Sequence, residues 1–265
     1  MSIKFDLLEL NSPSLLTSAA QIRDMKFESR EDCGESWQLK SWEQISAHIN
    51  DDTFPCIFAK KAMDQKYLLL TFIDGWETVA ALDHFCSCVM EYVETLKEKY
   101  GTHTVCPPLM AIFKPNEKLV ESHQYSNASW YILQYLHYND NFSWPENIPA
   151  DPDDPIWSFC FNGYQLFVNI TSPVLGKHRS RVLSDSLVFT IQPRTNFDIV
   201  AGRDTPYGPK VRQKIRERWM EYDGIEGHLD YSMYGDEHNR EWKQYFLYSD
   251  ESPAPSRCPL NIKHK

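Results

Sequence analysis

The sequence predicts an α+β fold, in which an antiparallel or mixed sheet is flanked by several helices. Apolar residues recur at steps of three or four over 78–101, which is the period of an amphipathic helix. A continuous apolar run at 66–74 is typical of a strand buried on both faces, and from 156 the apolar residues alternate, as they do in half-buried strands. Since no repeat or low-complexity linker divides the 265 residues, we expect a single domain over 1–265.

The first elements are predicted from helix caps and prolines. A short helix is expected within 12–25, and another over 41–51 with Ser41 at its N-cap. Pro55 ends that second helix, because the residue before a proline is held in an extended conformation. The strand over 66–74 and the helix over 78–101 then follow.

The later elements are read from changes of period and from turn residues. Asn162 and Gly163 favour the turn of a β-hairpin, and Gly224 is a typical stop after a helix. A loose tail is expected over 250–265. In order, the elements are a strand over 106–115, a helix over 117–140, the hairpin over 156–172, a strand over 186–193, a helix over 209–224, and a short helix or strand over 239–252.

Composition and charge restrict the function classes. The net charge of -10 argues against a nucleic-acid partner, since phosphate binding needs a basic surface. The N-terminus lacks the features of a signal peptide, and no apolar run approaches the roughly 20 residues of a membrane span. We therefore expect a cytoplasmic protein that does not enter a membrane, and a homodimer is left open. The chain also lacks the motifs of P-loop proteins, dinucleotide-binding folds, α/β-hydrolases and zincins.

The seven cysteines, an odd number without a Cys-x-x-Cys pair, predict reduced thiols and no structural zinc site. Cys56 lies in FPCIFAKKA, after a proline and beside aromatic residues, with Lys60 nearby in sequence. It is therefore either a buried structural thiol or, if a positive charge lowers its pKa, a thiolate ligand or nucleophile.

His137 and Asp140 interrupt the apolar face near the end of the helix predicted over 117–140. Three residues apart, they share one face of the helix, so the carboxylate could hold the imidazole in one tautomer, as around a metal-bound His. The alternative is a capped surface pair at the end of a helix.

Two basic segments could hold an anionic group: GKHRSR, which contains Arg179 and Arg181, and RQKIRERW at 212–219. Arg194 follows the next predicted strand. Arginines at strand ends suit the bidentate capture of carboxylates. The alternative for either basic segment is a solvated charged face. For the arginines at the strand ends, the alternative is a surface network of ion pairs that includes Asp198.

Several segments, in this order, resemble the YqcI/YcgG family over about residues 54–248. The segments are FPCIFAKKA, LQYLHYND, DPDDPIWSF, LFVNITSPVLGKHRSR, LVFTIQPRTNFD and NREWKQYFL. That family includes haem-dependent enzymes that add oxygen to a guanidino nitrogen of a free amino acid. The resemblance implies a haem-dependent monooxygenase that hydroxylates an amino or guanidino nitrogen of a small amino acid.

The resemblance also implies roles for particular residues. His137 would be the axial ligand of the haem iron, Asp140 its orienting carboxylate, and Cys56 a residue of the pocket. The amino or guanidino group of a substrate would contact Asp154 or Asp198. The haem propionates or a substrate carboxylate would bind to Lys60, Arg179, Arg181 and Arg194.

The chain departs from the family pattern at two histidines. Residues 171–173 read Thr-Ser-Pro where the hydroxylases have Leu-His-Pro, and 192–194 read Gln-Pro-Arg where they have Asn-Pro-His. If either of those histidines carries the iron in the relatives, His137 or Cys56 would have to do so here. A haem-free small-molecule binding protein of the same fold is therefore the alternative, and an enzyme with a nucleophilic Cys56 is a third possibility.

Overall fold

A mixed sheet packed between helices forms the part of the chain that the computed structural model describes, which is residues 14–22, 36–101, 103–174, 178–224, 233–248 and 254–262. Short 3-10 turns lie at Arg179–Arg181 and Glu241–Gln244. The strands and α-helices are, in chain order, β1 (Thr17–Ser18), α1 (Trp37–Asn50), α2 (Ile57–Asp64), β2 (Leu69–Ile73), α3 (Val79–Lys99), β3 (Leu109–Phe113), α4 (Ser122–Tyr138), β4 (Phe159–Phe161), β5 (Tyr164–Thr171), β6 (Val188–Pro193), α5 (Thr195–Ala201) and α6 (Gly208–Asp223).

The described strands form one sheet in the order β1-β2-β3-β6-β5-β4. β2 and β3 run parallel, and every other neighbouring pair is antiparallel. The parallel pair is connected through α3, as a parallel pair must be joined by a crossover. The predicted α+β class with a mixed sheet flanked by helices is confirmed.

Both faces of the sheet are buried, and β3 shows how. Leu109, Ala111 and Phe113 pack in the apolar cluster that contains the buried faces of α3 and α4. Met110 and Ile112, which alternate with them, pack in a second cluster with α1. This double burial explains why the central strands read as continuous apolar runs.

Local signals account for the boundaries that the sequence predicted well. The side chain of Thr78 accepts a hydrogen bond from the backbone N–H of Ala81 and so begins α3. Asn162 and Gly163 have φ angles of 51° and 67° between β4 and β5, the left-handed conformation that a tight hairpin turn of this type requires at both positions.

The structure differs from the prediction at several elements. α1 begins at Trp37 because Ser36 is its N-cap; Ser41 lies inside the helix, and its hydroxyl contacts that of Ser186 at 2.8 Å. The helices α2 and α5 were not predicted. Within 12–25 the described residues form β1 and a turn, and the segment over 239–252 forms a 3-10 turn in its described part. The predicted loose tail is described only over 254–262, and its remaining residues lie outside the described part of the chain.

Candidate functional site

A cavity of about 250 Å³ opens where β5 and β6 meet α2, α5, α6 and the two 3-10 turns. Its walls combine aromatic rings, arginines, uncharged polar groups, a thiol and a carboxylate. The aromatic members are Phe54, Phe58, Phe167, Phe197, Trp219 and Tyr234, and the groups that carry charge or a thiol are Arg181, Arg194, Arg212, Arg216, Glu241 and Cys56. Such a cavity suits a small ligand that has both apolar and charged parts.

Four arginines make the cavity strongly cationic. Arg181 is buried and donates hydrogen bonds to the side chain of Asn169 and to the backbone oxygen of Gln244. Arg212 donates through Nε to the backbone oxygen of Ala201 at 2.6 Å. Burial lowers the pKa of Arg212, and the charges of Arg194 and Arg216 lower it further. Grouped guanidinium ions favour an anionic ligand group.

Cys56 presents its thiol at the N-terminus of α2. Its side chain is the N-cap of that helix, where Sγ accepts a hydrogen bond from the backbone N–H of Ala59 at 3.4 Å. Burial raises the pKa of the Cys56 thiol, while the backbone N–H groups of Ala59 and Phe58 and the charge of Arg181 act in the opposite direction. The free thiol is therefore protonated at neutral pH, but its surroundings include groups that stabilise a thiolate.

Arg194 and Glu241 approach one another inside the cavity. Arg194 Nε lies 4.0 Å from Glu241 Oε2, and the two side chains are only 6% and 4% exposed. The guanidinium carbon of Arg194 lies 3.8 Å from the ring centroid of Tyr234, and its Nη2 donates to Asp198. Stacking and ion pairing thus hold the guanidinium in one orientation.

Glu241 is a buried carboxyl group whose protonation is poised near neutral pH. Burial raises its pKa to about 7, although hydrogen bonds from Ser158 and Tyr245 and the charge of Arg194 oppose the rise. Ser158 Oγ and Tyr245 Oη lie 2.6 Å and 2.8 Å from Glu241 Oε1. A carboxyl group perturbed in this way inside a cavity is a candidate for a functional role.

The structure brings together some of the predicted site residues and separates others. Cys56, Arg181 and Arg194 line the cavity, and Asp198 lies behind Arg194 with its own side chain 55% exposed. Of the other predicted residues, none of which is among the described lining residues, Arg179 lies over the ring of Tyr222, Lys60 pairs with Asp52, and Asp154 accepts a hydrogen bond from the backbone of Ile156. Their functional roles stay predictions.

His137 and Asp140 lie at the end of α4, among residues that do not line the cavity. His137 is 4% exposed and packs edge-on against Trp144. The carboxylate of Asp140 accepts hydrogen bonds from the backbone N–H groups of Phe142 and Asn162, both at 2.9 Å. The pair is thus buried, unlike the capped surface pair that was the alternative, and its role at an iron atom stays a prediction.

Sequence reasoning did not single out Glu241, Arg212 and Arg216 as site residues. In the sequence, Glu241 is one acidic residue of NREWKQYFL, a segment that resembles the family, and no motif or period distinguishes it. Arg212 and Arg216 lie four residues apart, so they share one face of α6, and the basic segment that contains them was noted as a place for an anionic group.

Two further properties concern the described residues as a whole. No helix among them is long and apolar enough to cross a membrane. Within the same residues, no group of three or more His, Cys, Asp or Glu side chains is arranged to hold a metal ion through protein ligands alone.

Fold and cavity together define an α+β protein with a small-molecule pocket that contains both a cationic cluster and a buried carboxyl group. The chain belongs to the YqcI/YcgG family, whose model matches residues 45–261, so the predicted resemblance is confirmed.

Curated relatives match the chain along most of its length. It is 33% identical to the "Putative N(omega)-hydroxy-L-arginine synthase DcsA" of Streptomyces lavendulae, over 86% of this chain and 85% of that protein. It is 33% and 32% identical to the uncharacterized proteins YcgG and YqcI of Bacillus subtilis (strain 168), over 85% and 84% of this chain and 88% and 87% of those proteins. No solved structure matches the chain.

Proposed function

We propose that this protein is a haem-dependent monooxygenase that hydroxylates an amino or guanidino nitrogen of a small amino acid. The observation that carries the proposal is the content of the cavity, which combines a thiol, a cationic cluster and a buried carboxyl group between aromatic walls. The name of the Streptomyces lavendulae relative supports the same chemistry, since it denotes the formation of an N-hydroxylated arginine.

The described lining residues fit the needs of a haem group. Haem requires flat apolar contacts, cations for its two propionates and one axial protein ligand. Phe54, Phe58 and Trp219 could supply the apolar contacts, and Arg181, Arg212 and Arg216 could bind the propionates. A thiolate is one of the usual axial ligands of haem iron, and the N-terminus of α2 would stabilise one at Cys56.

Each group of the chain would then have a separate task. When bound, haem supplies the activation of oxygen, with dioxygen and an external electron donor as co-reactants. Cys56 would hold the group in place, Trp219 and the phenylalanines would exclude water from it, and Glu241 would orient a cationic part of the substrate. The carboxylate of Glu241 can do so because it is fixed by Ser158 and Tyr245.

Visible absorption spectra test the haem requirement and its ligand. We expect the chain, expressed with a haem precursor, to show a Soret band, and its ferrous carbonyl complex to absorb at the long wavelength typical of thiolate ligation. Cys56→Ser should remove that long-wavelength band. The matched variant Cys86→Ser should keep it, because Cys86 is half-buried and is not among the described lining residues.

The same spectra distinguish the other candidates. If the Soret band survives Cys56→Ser and disappears in a folded His137→Gln variant, His137 is the ligand and the assignment of Cys56 is wrong. If well-folded, haem-supplemented protein shows no Soret band, the oxygenase proposal fails. A haem-free small-molecule binding protein then becomes the better candidate, and the lack of a His among the described lining residues already favours it.

A further inference from the structure

Two polar atoms of the cavity residues lie side by side, and neither has a hydrogen-bond partner among the residues that the structure describes. Glu241 Oε1 accepts from Ser158 and Tyr245, whereas Oε2 accepts no hydrogen bond from any described residue. Arg194 Nε is buried and is likewise without a partner in the described part of the chain. The 4.0 Å between Oε2 and Nε exceeds hydrogen-bond length. A buried N–H without an acceptor is costly, and Arg194 lines the cavity beside Glu241, so a bound ligand could accept the hydrogen bond of Nε.

Both side chains are held in place before any ligand arrives. Tyr234 stacks on the guanidinium of Arg194, and the hydroxyl of Tyr234 is itself fixed by hydrogen bonds to the backbone oxygen of Ile156 and to Gln165. Two hydrogen bonds fix the first carboxylate oxygen of Glu241, so the second one points in a defined direction. A ligand therefore loses little free energy in ordering these groups.

The pair offers one anionic acceptor beside one cationic donor. The complementary ligand group has a cationic donor beside an anionic acceptor, which is the arrangement of the α-ammonium and α-carboxylate groups of a free amino acid. A guanidinium or amine alone would satisfy Oε2 but would leave Nε without an acceptor. A carboxylate alone would satisfy Nε but would bring a second negative charge towards Glu241.

We propose that Glu241 and Arg194 together bind the head group of an amino-acid substrate, the α-ammonium at Oε2 and the α-carboxylate at Nε. This inference rests on the proposed function and makes it more specific. It leaves the rest of the cavity for the haem held at Cys56 and for the substrate side chain whose nitrogen reacts. Glu241 and Arg194 are then specificity-determining residues that distinguish an amino acid from its decarboxylated or deaminated analogue.

Calorimetric titration of the full chain with three related compounds tests the head-group assignment. L-Arginine has both α groups, agmatine lacks the carboxylate, and 5-guanidinopentanoate lacks the α-amino group. We expect each analogue to bind at least 10-fold more weakly than L-arginine. Glu241→Gln should weaken L-arginine and agmatine at least 10-fold and change 5-guanidinopentanoate by less than 3-fold, because only the first two have an amine for Oε2.

Arg194→Gln should produce the complementary pattern, weakening L-arginine and 5-guanidinopentanoate while sparing agmatine. A parallel set of L-lysine, cadaverine and 6-aminohexanoate extends the test to a substrate with a side-chain amine. Glu237→Gln and Arg257→Gln are matched controls, since both residues are exposed and neither is among the described lining residues. Should Arg194→Gln not fold, the Glu241→Gln titrations decide the question alone.

Several results would overturn the inference. If Glu241→Gln weakens all three compounds of a set equally, Glu241 binds the side-chain nitrogen and not the α-amino group. If neither L-arginine nor L-lysine binds to folded protein, or if the Glu241→Gln variant binds every compound as the wild type does, the head-group site does not exist. The measurement needs no turnover, so a missing Soret band with this binding pattern intact would refute the oxygenase and leave the amino-acid site standing.

Discussion

Glu241→Gln is expected to increase the free energy of unfolding by about 3 kcal/mol at pH 8 and to change it little at pH 4.5. The pKa of Glu241 is raised from 4.5 to about 7 in the folded chain, chiefly by burial. The folded state therefore binds a proton more tightly than the unfolded state. Below the unfolded pKa of 4.5, the Glu241 carboxyl group is protonated in both states and does not lower the free energy of unfolding. As the pH rises from 4.5, the destabilisation grows, and above pH 7 it reaches its full size.

Glutamine keeps the shape of the side chain and removes the charge at every pH. Its oxygen can still accept hydrogen bonds from Ser158 and Tyr245, so the difference between variant and wild type isolates the ionisation of Glu241. The raised pKa already includes the attraction of Arg194, so no separate allowance is needed for that contact.

Urea unfolding of both proteins at several pH values between 4.5 and 8 measures the effect. The Glu237→Gln variant is the control for any general change in net charge, because Glu237 is exposed four residues away in the same segment. A difference between Glu241→Gln and wild type that stays constant with pH would contradict the prediction, as would a variant less stable than wild type at pH 8.

The destabilisation caused by ionised Glu241 bears on the function of this residue. A buried carboxylate that destabilises the fold is commonly retained because it has a functional role. Removing such a group then increases the stability of the protein and lowers its activity. The variant that unfolds less readily should also bind compounds with an α-amino group at least 10-fold more weakly. Urea unfolding and ligand titration are thus two independent measurements that test the same role for Glu241.

The predictable part of the fold is the part determined by local pattern. The long helices α3 and α4 show several turns of apolar period, and Asn162-Gly163 determines its own turn. α5 was missed because its seven residues are too few to establish a period. α2 was missed because Pro55 was interpreted only as the end of a helix, whereas Cys56 beside it serves as an unusual N-cap for the next one.

The site was predictable in part: Cys56 was found from its place after Pro55, and two arginines from their places after strands. Arg194 comes directly after β6, and Arg181 lies in the 3-10 turn between β5 and β6, so the hypothesis that arginines gather at strand ends found both. Glu241 could not be found in this way, because its hydrogen-bond partner Ser158 is 83 residues away along the chain. Long-range pairing of polar groups leaves no period in a sequence, and it becomes visible only when the sheet brings the segments together.

Asp140→Ala is expected to lower the free energy of unfolding by about 3 kcal/mol. The Asp140 carboxylate joins two parts of the structure, because Oδ1 accepts from the N–H of Phe142 just after α4 and Oδ2 accepts from the N–H of Asn162 in the hairpin turn. Asn162 is fully buried and has a positive φ angle. Removing the carboxylate leaves the N–H of Asn162 without this acceptor where water cannot replace it, and the turn loses its hydrogen bond to the segment that follows α4.

Graded variants separate this structural role from the orienting role that sequence spacing predicted. Asparagine provides one carbonyl oxygen in place of two carboxylate oxygens, so Asp140→Asn should lose about half as much stability as Asp140→Ala in urea unfolding. Asp64→Ala, at an exposed position, should change the stability by less than about 0.5 kcal/mol. If instead Asp140→Asn unfolds as the wild type does but loses the Soret band of haem-supplemented protein, then the pair of His137 and Asp140 acts at the iron, and the structural account is wrong.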